Sequence, residues 1–257
     1  MKVRSQSSSI PKERFKTRRR TRGEPAFMSS AEVLRELKRL ANPEVRAKMS
    51  YFGVRVQRAY GISAPVLHKL AKQISKNSEL ANELWASEIH EARILATLIG
   101  EPEKVTSSEM DRWAAAFDSW DVVDAACCYL YAHTKFAWKK VSEWSGCPQL
   151  FVKRAGFSLT AYLAYKDRKA PDEEFINFLR VIERESDDDR HFVKEAVNWA
   201  LRNIGKRNPK LNREAIRVAE KLRKRDSRAA RWIAADALRE LRSDAVQRRL
   251  REKKADR

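Results

Sequence analysis

Apolar side chains recur every three or four residues along nearly the whole chain after Ser29, and this spacing is the period of an α-helix. Leu34 and Leu37 show it near the start, and Ala235 and Leu238 show it near the end. The pattern predicts about fourteen helices of about 8–18 residues, joined by short connections, and no strand. Only 7 of the 257 residues are glycine, which disfavours turn-rich β architectures and glycine-built phosphate loops. We therefore expect an all-α fold.

The predicted helices form pairs that repeat about every 35–40 residues, although no strict repeat consensus is visible. Helix pairs of this length typically stack into a curved solenoid, an α-α superhelix with a concave groove. A groove lined by basic side chains suits the backbone of a nucleic acid. We therefore expect a helical-repeat solenoid with a basic concave groove. A globular helical bundle is the competing fold.

Positive charge is concentrated at the two ends of the chain. Lys and Arg number 54 and Asp and Glu number 35, which gives a formal net charge of +19. Residues 1–29 contribute +7 and residues 201–257 contribute +12, so that residues 30–200 are neutral. A surplus of this size makes nucleic acid the first partner to consider.

Charge and helical period together divide the chain into three parts. Residues 1–28 are basic and lack an apolar period, so we expect a disordered arm that either follows phosphates or is a solvated tail. Residues 29–250 form the predicted helical-repeat domain, whose last helices are amphipathic and basic on their outer faces. Residues 251–257 form a predicted basic C-terminal tail.

Several classes of protein lack support in the sequence. No apolar run reaches the ~20 residues that a membrane-spanning helix needs, and the N-terminus has no apolar segment of the secretory type. The three cysteines and four histidines do not have the spacing of metal ligands. No P-loop, dinucleotide fingerprint or Gly-x-Ser-x-Gly motif occurs. We expect no metal, no organic cofactor and no membrane association, and a location in a reducing cytoplasm.

One predicted helix start carries an unusual pair of residues. Trp120 and Asp124 are four positions apart, so they lie one above the other on a single helix face. Asp121, at the helix N-terminus, has the position of a capping or dipole partner. Asp124 lies deeper among small and apolar residues, where a carboxylate is costly unless it has a partner or a function. A buried ion pair with an Arg of a neighbouring helix is the alternative to a functional role.

Two further segments carry candidate site residues. Lys153 and Arg154 lie early in a long predicted helix, where the helix dipole disfavours cations, and Arg154 is a candidate partner for Asp124 or for a phosphate. Trp199 lies among apolar positions, for which core packing is the default interpretation. Polar side chains that reach out near Trp199 belong to Asn198, Arg202, Lys206 and Arg207.

These segments resemble the DNA alkylation repair family, the AlkD-like HEAT-repeat DNA glycosylases. The resemblance is carried by SWDVVD at 119–124, FVKRAGFSL at 151–159 and FVKEAVNWALRNIGKRNP at 192–209. Supporting matches are YGISAPVLHKLAK at 60–72, LWASEIHEARILA at 84–96 and ARWIAADALREL at 230–241. The resemblance covers about residues 30–241, and the combination of SWDxVD with the distant NWALR is specific.

The resemblance implies a HEAT-like solenoid that binds duplex DNA and excises N3- and N7-alkylated purines such as 3-methyladenine and 7-methylguanine. Trp120 and Trp199 match the two tryptophans of the family's active-site cleft, and Asp124 matches its essential carboxylate. Arg154 is similar to an Arg that contacts the DNA backbone near the lesion. Tyr51 is the candidate for an upstream aromatic of the cleft, although the local spacing differs by about one residue.

From the resemblance and the residue types we expect a monofunctional glycosylase that acts without enclosing the damaged base in a pocket. Its partner is duplex DNA containing alkylated purines, its phosphate contacts come from Lys153, Arg154, Arg202, Lys206 and Arg207, and it acts as a monomer. We place it in a bacterial cytoplasm, associated with the nucleoid when it is bound to DNA. The alternative is a non-catalytic helical scaffold that binds nucleic acid or a protein partner.

Overall fold

A computed structural model describes residues 28–255 of the chain. Within this range the regular structure is helical and contains no strand. The helices are α1 (Ser30–Arg39), α2 (Pro43–Tyr51), α3 (Ala64–Gln73), α4 (Ser78–Ala86), α5 (His90–Ile99), α6 (Ser107–Ala115), α7 (Trp120–Ala125), α8 (Ala137–Trp144), α9 (Leu150–Lys166), α10 (Asp172–Glu185), α11 (His191–Gly205), α12 (Pro209–Arg223), α13 (Arg228–Leu241) and α14 (Asp244–Ala255). The predicted all-α fold is confirmed.

Local sequence chemistry sets several of the helix starts. Ser29 and Glu32 form a capping box at the start of α1, in which the side chain of each accepts a hydrogen bond from the backbone of the other. The side chains of Asn77, Asn208 and Ser227 accept hydrogen bonds from the first turns of α4, α12 and α13. These caps satisfy backbone donors that have no partner inside the helix.

The helices are arranged in two layers. In one layer each helix contacts the next, in the order α3, α5, α7, α9, α11 and α13. The second layer includes α10, α12 and α14, which also contact one another in order. Contacts of α8 with α9 and of α12 with both α11 and α13 join the layers. Stacked helix pairs of this kind are the arrangement of a helical-repeat solenoid.

Polar contacts between successive repeats show the length of the repeat directly. The side chain of Arg154 donates to the carbonyl oxygen of Phe192, at 2.9 Å, and that of Asn198 donates to Asp236, at 2.7 Å. Each of these bonds spans 38 positions of the sequence, as does the ion pair between Arg202 and Glu240. The spacing agrees with the predicted repeat of about 35–40 residues.

Helix α9 lies at the centre of the structure, and residues 153–161 are all buried. Gly156 permits this position, because a Cβ there would lie 2.6 Å from the backbone nitrogen of Ser145, at the end of α8. The continuous apolar core is formed largely by leucine, isoleucine, valine, alanine and aromatic side chains from both layers. Helix α9 is therefore a rigid support for the polar side chains that it carries.

Helix α7 is shorter than the sequence pattern predicts. The periodicity predicts one helix from Val122 to about His133, but after Ala125 the chain widens into a π-helical turn over Ala126–Leu130 and ends in a 3₁₀ turn. The carbonyl oxygen of Cys128, within the π-helical turn, accepts a hydrogen bond from Nζ of Lys166 at 2.8 Å. Such turns replace the regular ladder of an α-helix and are frequent near functional sites.

The predicted division of the chain at its two ends stays a prediction. The predicted disordered arm, residues 1–28, lies outside the described residues except for Met28. At the other end, α14 continues to Ala255, past the predicted start of a tail at residue 251. Among the described residues, no helix combines the length and the apolarity that crossing a bilayer requires.

Candidate functional site

Asp124, in the second turn of α7, is the centre of a polar group between α7 and α9. Its Oδ1 accepts hydrogen bonds from Nε of Arg154, at 3.3 Å, and from Oγ of Ser158, at 2.8 Å. Its Oδ2 accepts one, from Nη2 of Arg154 at 2.8 Å. The side chain of Asp124 is 17% exposed, whereas Arg154 and Ser158 are buried. Oδ2 is therefore the carboxylate oxygen with the greater unused capacity to accept a hydrogen bond.

The pKa of Asp124 reflects a balance of opposing effects. Burial raises the pKa of the Asp124 carboxyl above its ordinary value, and the negative charge of Asp121 adds to the rise. The positive charge of Arg154 and the hydrogen bonds from Arg154 and Ser158 lower it, but less than burial raises it. The two donors thus counteract much of the cost of keeping a carboxylate away from water.

Trp120 lies beside this group, one turn before Asp124 in α7. Its indole Nε1 donates to the carbonyl oxygen of Phe52, at 2.9 Å, and its ring centroid lies 5.6 Å from the guanidinium of Arg154. The same guanidinium donates to the carbonyl oxygen of Phe192 and lies 5.9 Å from the Phe192 ring. Arg154 is therefore fixed by a carboxylate, a carbonyl oxygen and two aromatic rings.

Trp199 reaches the same region through Tyr162. The two rings meet edge to face, with centroids 4.9 Å apart. Burial raises the pKa of Tyr162, and the charge of Asp124 raises it further, so Tyr162 stays a neutral hydrogen-bonding group. Trp199 is half-buried, on the surface of α11 that faces α9, rather than within the fully buried core. The structure thus brings Trp120, Asp124 and Arg154 together and places Trp199 against Tyr162, which lies near enough to Asp124 to feel its charge.

An exposed aromatic pair borders the site. Tyr51 is 86% exposed and Phe52 is 64% exposed, and their rings meet edge to face at 5.3 Å. Gly53 follows with a φ of +74°, and a Cβ there would lie 2.9 Å from Cζ of Phe192. The turn is therefore held against Phe192 on one side and Trp120 on the other. Tyr51 therefore lies next to a turn that contacts Trp120, and its role as the upstream aromatic of the cleft stays a prediction.

Asp121 belongs to a separate structural group. Its Oδ2 lies 2.9 Å from Nε2 of His90, and its Oδ1 accepts hydrogen bonds from the backbone of Val122 and from the hydroxyl of Ser119. Burial lowers the pKa of His90, but the contact with Asp121 raises it more, so that the net pKa is raised. Asp121 thus accepts a backbone hydrogen bond in the first turn of α7, in keeping with the expected dipole or capping role, and its contact with His90 of α5 was not predicted from the sequence.

Two of the cations that are predicted to bind phosphates, Lys153 and Arg207, have partners inside the protein. Nζ of Lys153 lies 2.7 Å from Glu185 and 2.8 Å from Asp188. Burial raises the pKa of Asp188, but hydrogen bonds from neighbouring cations lower it to about 2. Arg207 donates to the carbonyl oxygen of Ala164, at 3.2 Å, near the end of α9. These contacts give Lys153 and Arg207 a role in holding the fold together. The binding of the two side chains to DNA stays a prediction.

The cations at the end of α11 are paired with α13. Arg202 contacts Asp236 and Glu240, and Lys206 lies 2.7 Å from Glu240. Burial raises the pKa of Glu240, but its two cations lower it more, so that its charge is favoured. Arg202 and Lys206 are half-buried, so their binding to phosphates would compete with this pairing. That role also stays a prediction.

Sequence reasoning did not single out Ser158, Tyr162, Phe52 or Phe192 as site residues. Ser158 and Tyr162 follow Arg154 by four and eight positions, which places all three on one face of α9. This spacing was the signal that could have identified them. Phe52 had no such signal, because its position depends on packing between distant segments. Among the described residues, no group of three His, Cys, Asp or Glu side chains could hold a metal ion.

Comparisons with known proteins give two kinds of match. A protein-family model described as "DNA alkylation repair enzyme" matches residues 33–241. A solved structure described as a member of "a new family of proteins related to the HEAT-like repeat DNA glycosylases with affinity for branched DNA structures" superposes with a TM-score of 0.70. It is 21% identical, and the match covers 82% of this chain and 95% of that one. The likeness confirms the expected HEAT-like fold.

A designed armadillo repeat protein in complex with a (KR)4 peptide gives a TM-score of 0.37 at 13% identity, covering 86% of this chain and 87% of that one. This score is too low to relate the two folds. No curated protein sequence matches the chain.

Proposed function

We propose that this chain, which belongs to the family of DNA alkylation repair enzymes, is a DNA glycosylase for purines alkylated at N3 or N7. It hydrolyses the bond between the damaged base and deoxyribose in duplex DNA, as a monomer and without a cofactor. The observation that carries the proposal is the partly exposed Asp124 carboxylate, held by Arg154 and Ser158 and flanked by Trp120. Trp199 completes the set through its contact with Tyr162.

The substrate explains why no strong general acid is needed. A purine alkylated at N3 or N7 already carries a positive charge, so it can leave with the bonding electrons of the glycosidic bond without being protonated. As that bond breaks, positive charge develops on the deoxyribose ring. A catalyst for this reaction has to stabilise a cation and position a water molecule.

Asp124 has the properties that this transition state requires. Its ionised carboxylate attracts the developing oxocarbenium ion, and Oδ2 has a free lone pair to accept a hydrogen bond from the attacking water. The water oxygen forms the new bond to C1′, the base departs, and one water proton is released as the C1′ hydroxyl forms. The low dielectric between the indoles and α9 strengthens the effect of the single charge.

The aromatic side chains bind the sugar rather than the base in this proposal. Trp120 and Trp199 present ring faces to the deoxyribose and to its growing positive charge. The base itself stays outside any pocket, next to the exposed Tyr51 and Phe52. Phosphate contacts supply most of the affinity and little sequence preference. The half-buried Arg202 and Lys206, at the end of α11, are the candidates for such contacts.

A purely structural Asp124 is the alternative, because its ion pair with Arg154 would by itself explain a buried carboxylate. Replacing Asp124 with Asn distinguishes the catalytic role from the structural one. The amide keeps the size of the side chain and can still accept hydrogen bonds, but it has no charge. We expect Asp124→Asn to lower base release about a hundredfold or more and to leave binding of duplex DNA unchanged.

Asp121→Asn is the matched control, because Asp121 lies one turn earlier in α7 and pairs with His90 instead. We expect this variant to retain base release once its stability has been taken into account. Equal loss of base release and of DNA binding in Asp124→Asn would show that Asp124 has a structural role only.

A further inference from the structure

Helix α13 carries an exposed stripe that the proposed catalytic reaction does not use. Its exposed residues recur at helical spacing along one side, and they are Arg228, Arg231, Trp232, Ala235 and Arg239. Three of the five are cations and the central one is a tryptophan. Cations in the first turn oppose the helix dipole, and that turn of α13 contains no acidic residue. The stripe is therefore not explained by the stability of the helix.

All seven tryptophans lie in the described range, and of these Trp232 is the exposed one, with 40% of its surface accessible. Nζ of Lys194, on α11, lies 4.8 Å from the centroid of its ring. A cation over one face leaves the rest of the indole in contact with water. What distinguishes Trp232 from the exposed rings of Tyr51, Phe52 and Tyr165 is that it lies on a stripe whose other large side chains are cations.

The charges around Trp232 are available for an anionic partner. Arg228 precedes Trp232 by four positions, so it lies on the same face of α13. Within the described part of the chain, neither Arg228 nor Lys194 forms an ion pair with a carboxylate. Arg231 and Arg239 each pair with one carboxylate, Asp226 and Asp236. An aromatic ring between unpaired cations is the arrangement by which proteins bind single strands, through stacked bases and flanking phosphates.

We propose that this stripe binds a segment of single-stranded DNA, with one nucleobase stacked on Trp232 and the adjacent phosphates on Arg228 and Lys194. An unpaired base is required, because the faces of paired bases in a duplex are covered by their neighbours. Helix α11 connects the two surfaces, because its Lys194 contacts Trp232 of α13 and its Trp199 contacts Tyr162 of α9. The proposed binding of single-stranded DNA is separate from base excision and does not depend on it.

Fluorescence anisotropy with a labelled oligothymidylate of about fifteen nucleotides tests the proposal. The oligonucleotide contains no alkylated base, so the measurement is independent of glycosylase activity. We expect Trp232→Ala to weaken binding about 5- to 150-fold, because the stacking of one base on an aromatic ring contributes about 1–3 kcal/mol. Trp232→Phe keeps a ring and should retain most of the affinity. Arg228→Ala should weaken binding and reduce the slope of log Kd against log salt by about 0.7, the contribution of one phosphate contact to a single strand.

Tyr165→Ala is the matched control, because Tyr165 is an aromatic residue that is 69% exposed on α9. It should bind the oligonucleotide as the unsubstituted protein does. Thermal melting establishes that each variant is folded, and the exposed Arg228 provides a decisive variant if Trp232→Ala does not fold. An unchanged Kd in folded Trp232→Ala, or in Arg228→Ala where Trp232→Ala does not fold, would overturn the proposal. Polyglutamate that competes as well as oligothymidylate would overturn it too, because it would indicate an acidic protein partner.

Discussion

Removing the hydroxyl of Ser158 should change the pH dependence of the proposed base release. Ser158 is fully buried, and its Oγ donates to Oδ1 of Asp124 at 2.8 Å. That bond lowers the pKa of Asp124 against the rise caused by burial. In Ser158→Ala the carboxylate loses one of its three donors, so its pKa should rise further. The proposed mechanism needs the ionised form.

The size of the change follows from the energy of the bond. A hydrogen bond to a charged group contributes about 1.5–3 kcal/mol, and one pKa unit corresponds to about 1.36 kcal/mol. The acid limb of the profile of kcat/KM against pH should therefore move upward by about 1–2 units. Activity falls as pH decreases through this limb, so the variant should lose activity at a higher pH than the unsubstituted enzyme. At pH values well above the limb the two should differ little.

The assay is base release measured across the pH range under single-turnover conditions. Thr160→Val is the matched control, because Thr160 is also buried on α9 but donates to the carbonyl oxygen of Gly156. The charged and titratable groups that face Asp124, which are Arg154, Asp121, Cys127 and Tyr162, are the same in both variants. An acid limb that stays in place in Ser158→Ala, or that moves equally in Thr160→Val, would refute the reasoning.

Other parts of the structure give further expectations. Asp188→Asn should lower the free energy of unfolding by about 2 kcal/mol at pH 7. Because the folded-state pKa of Asp188 is lowered to about 2, that difference should shrink in denaturant titrations as pH falls from about 4 towards 2. Gly156→Ala should destabilise by about 1–3 kcal/mol, since its Cβ would meet the backbone of Ser145. Gly146→Ala, with open space around its Cβ, should unfold at the same denaturant concentration as the unsubstituted protein. Trp199→Ala should slow base release under saturating DNA, and an unchanged rate would remove Trp199 from the proposed cleft.

Much of the fold could be predicted from the sequence because helical period and caps are local. The apolar spacing correctly predicted fourteen α-helices in the described residues and a repeat of about 35–40 residues. The widening of α7 into a π-helical turn was not predictable from that spacing. It depends on the fit of the turn against its neighbours, including the hydrogen bond from Lys166 to Cys128.

The candidate site was predicted less completely. The sequence left two readings of Asp124 open, and the structure shows the ion pair with Arg154 that one of them required. A functional carboxylate can have the same ion pair, and the Asp124→Asn variant distinguishes the two roles. The partners of Lys153 and of Arg202 lie 35 and 38 positions away. The net charge of a sequence segment does not reveal such ion pairs, because they form only when successive repeats stack.

Release of free base from methylated duplex DNA is the most direct test of the proposed function. The unsubstituted protein is incubated with DNA containing 7-methylguanine and 3-methyladenine, and the released bases are identified by mass spectrometry. We expect one or both bases to be released, leaving abasic sites in otherwise intact strands, and Asp124→Asn to release almost none. Release no faster than the spontaneous loss from the same DNA without protein would contradict the account.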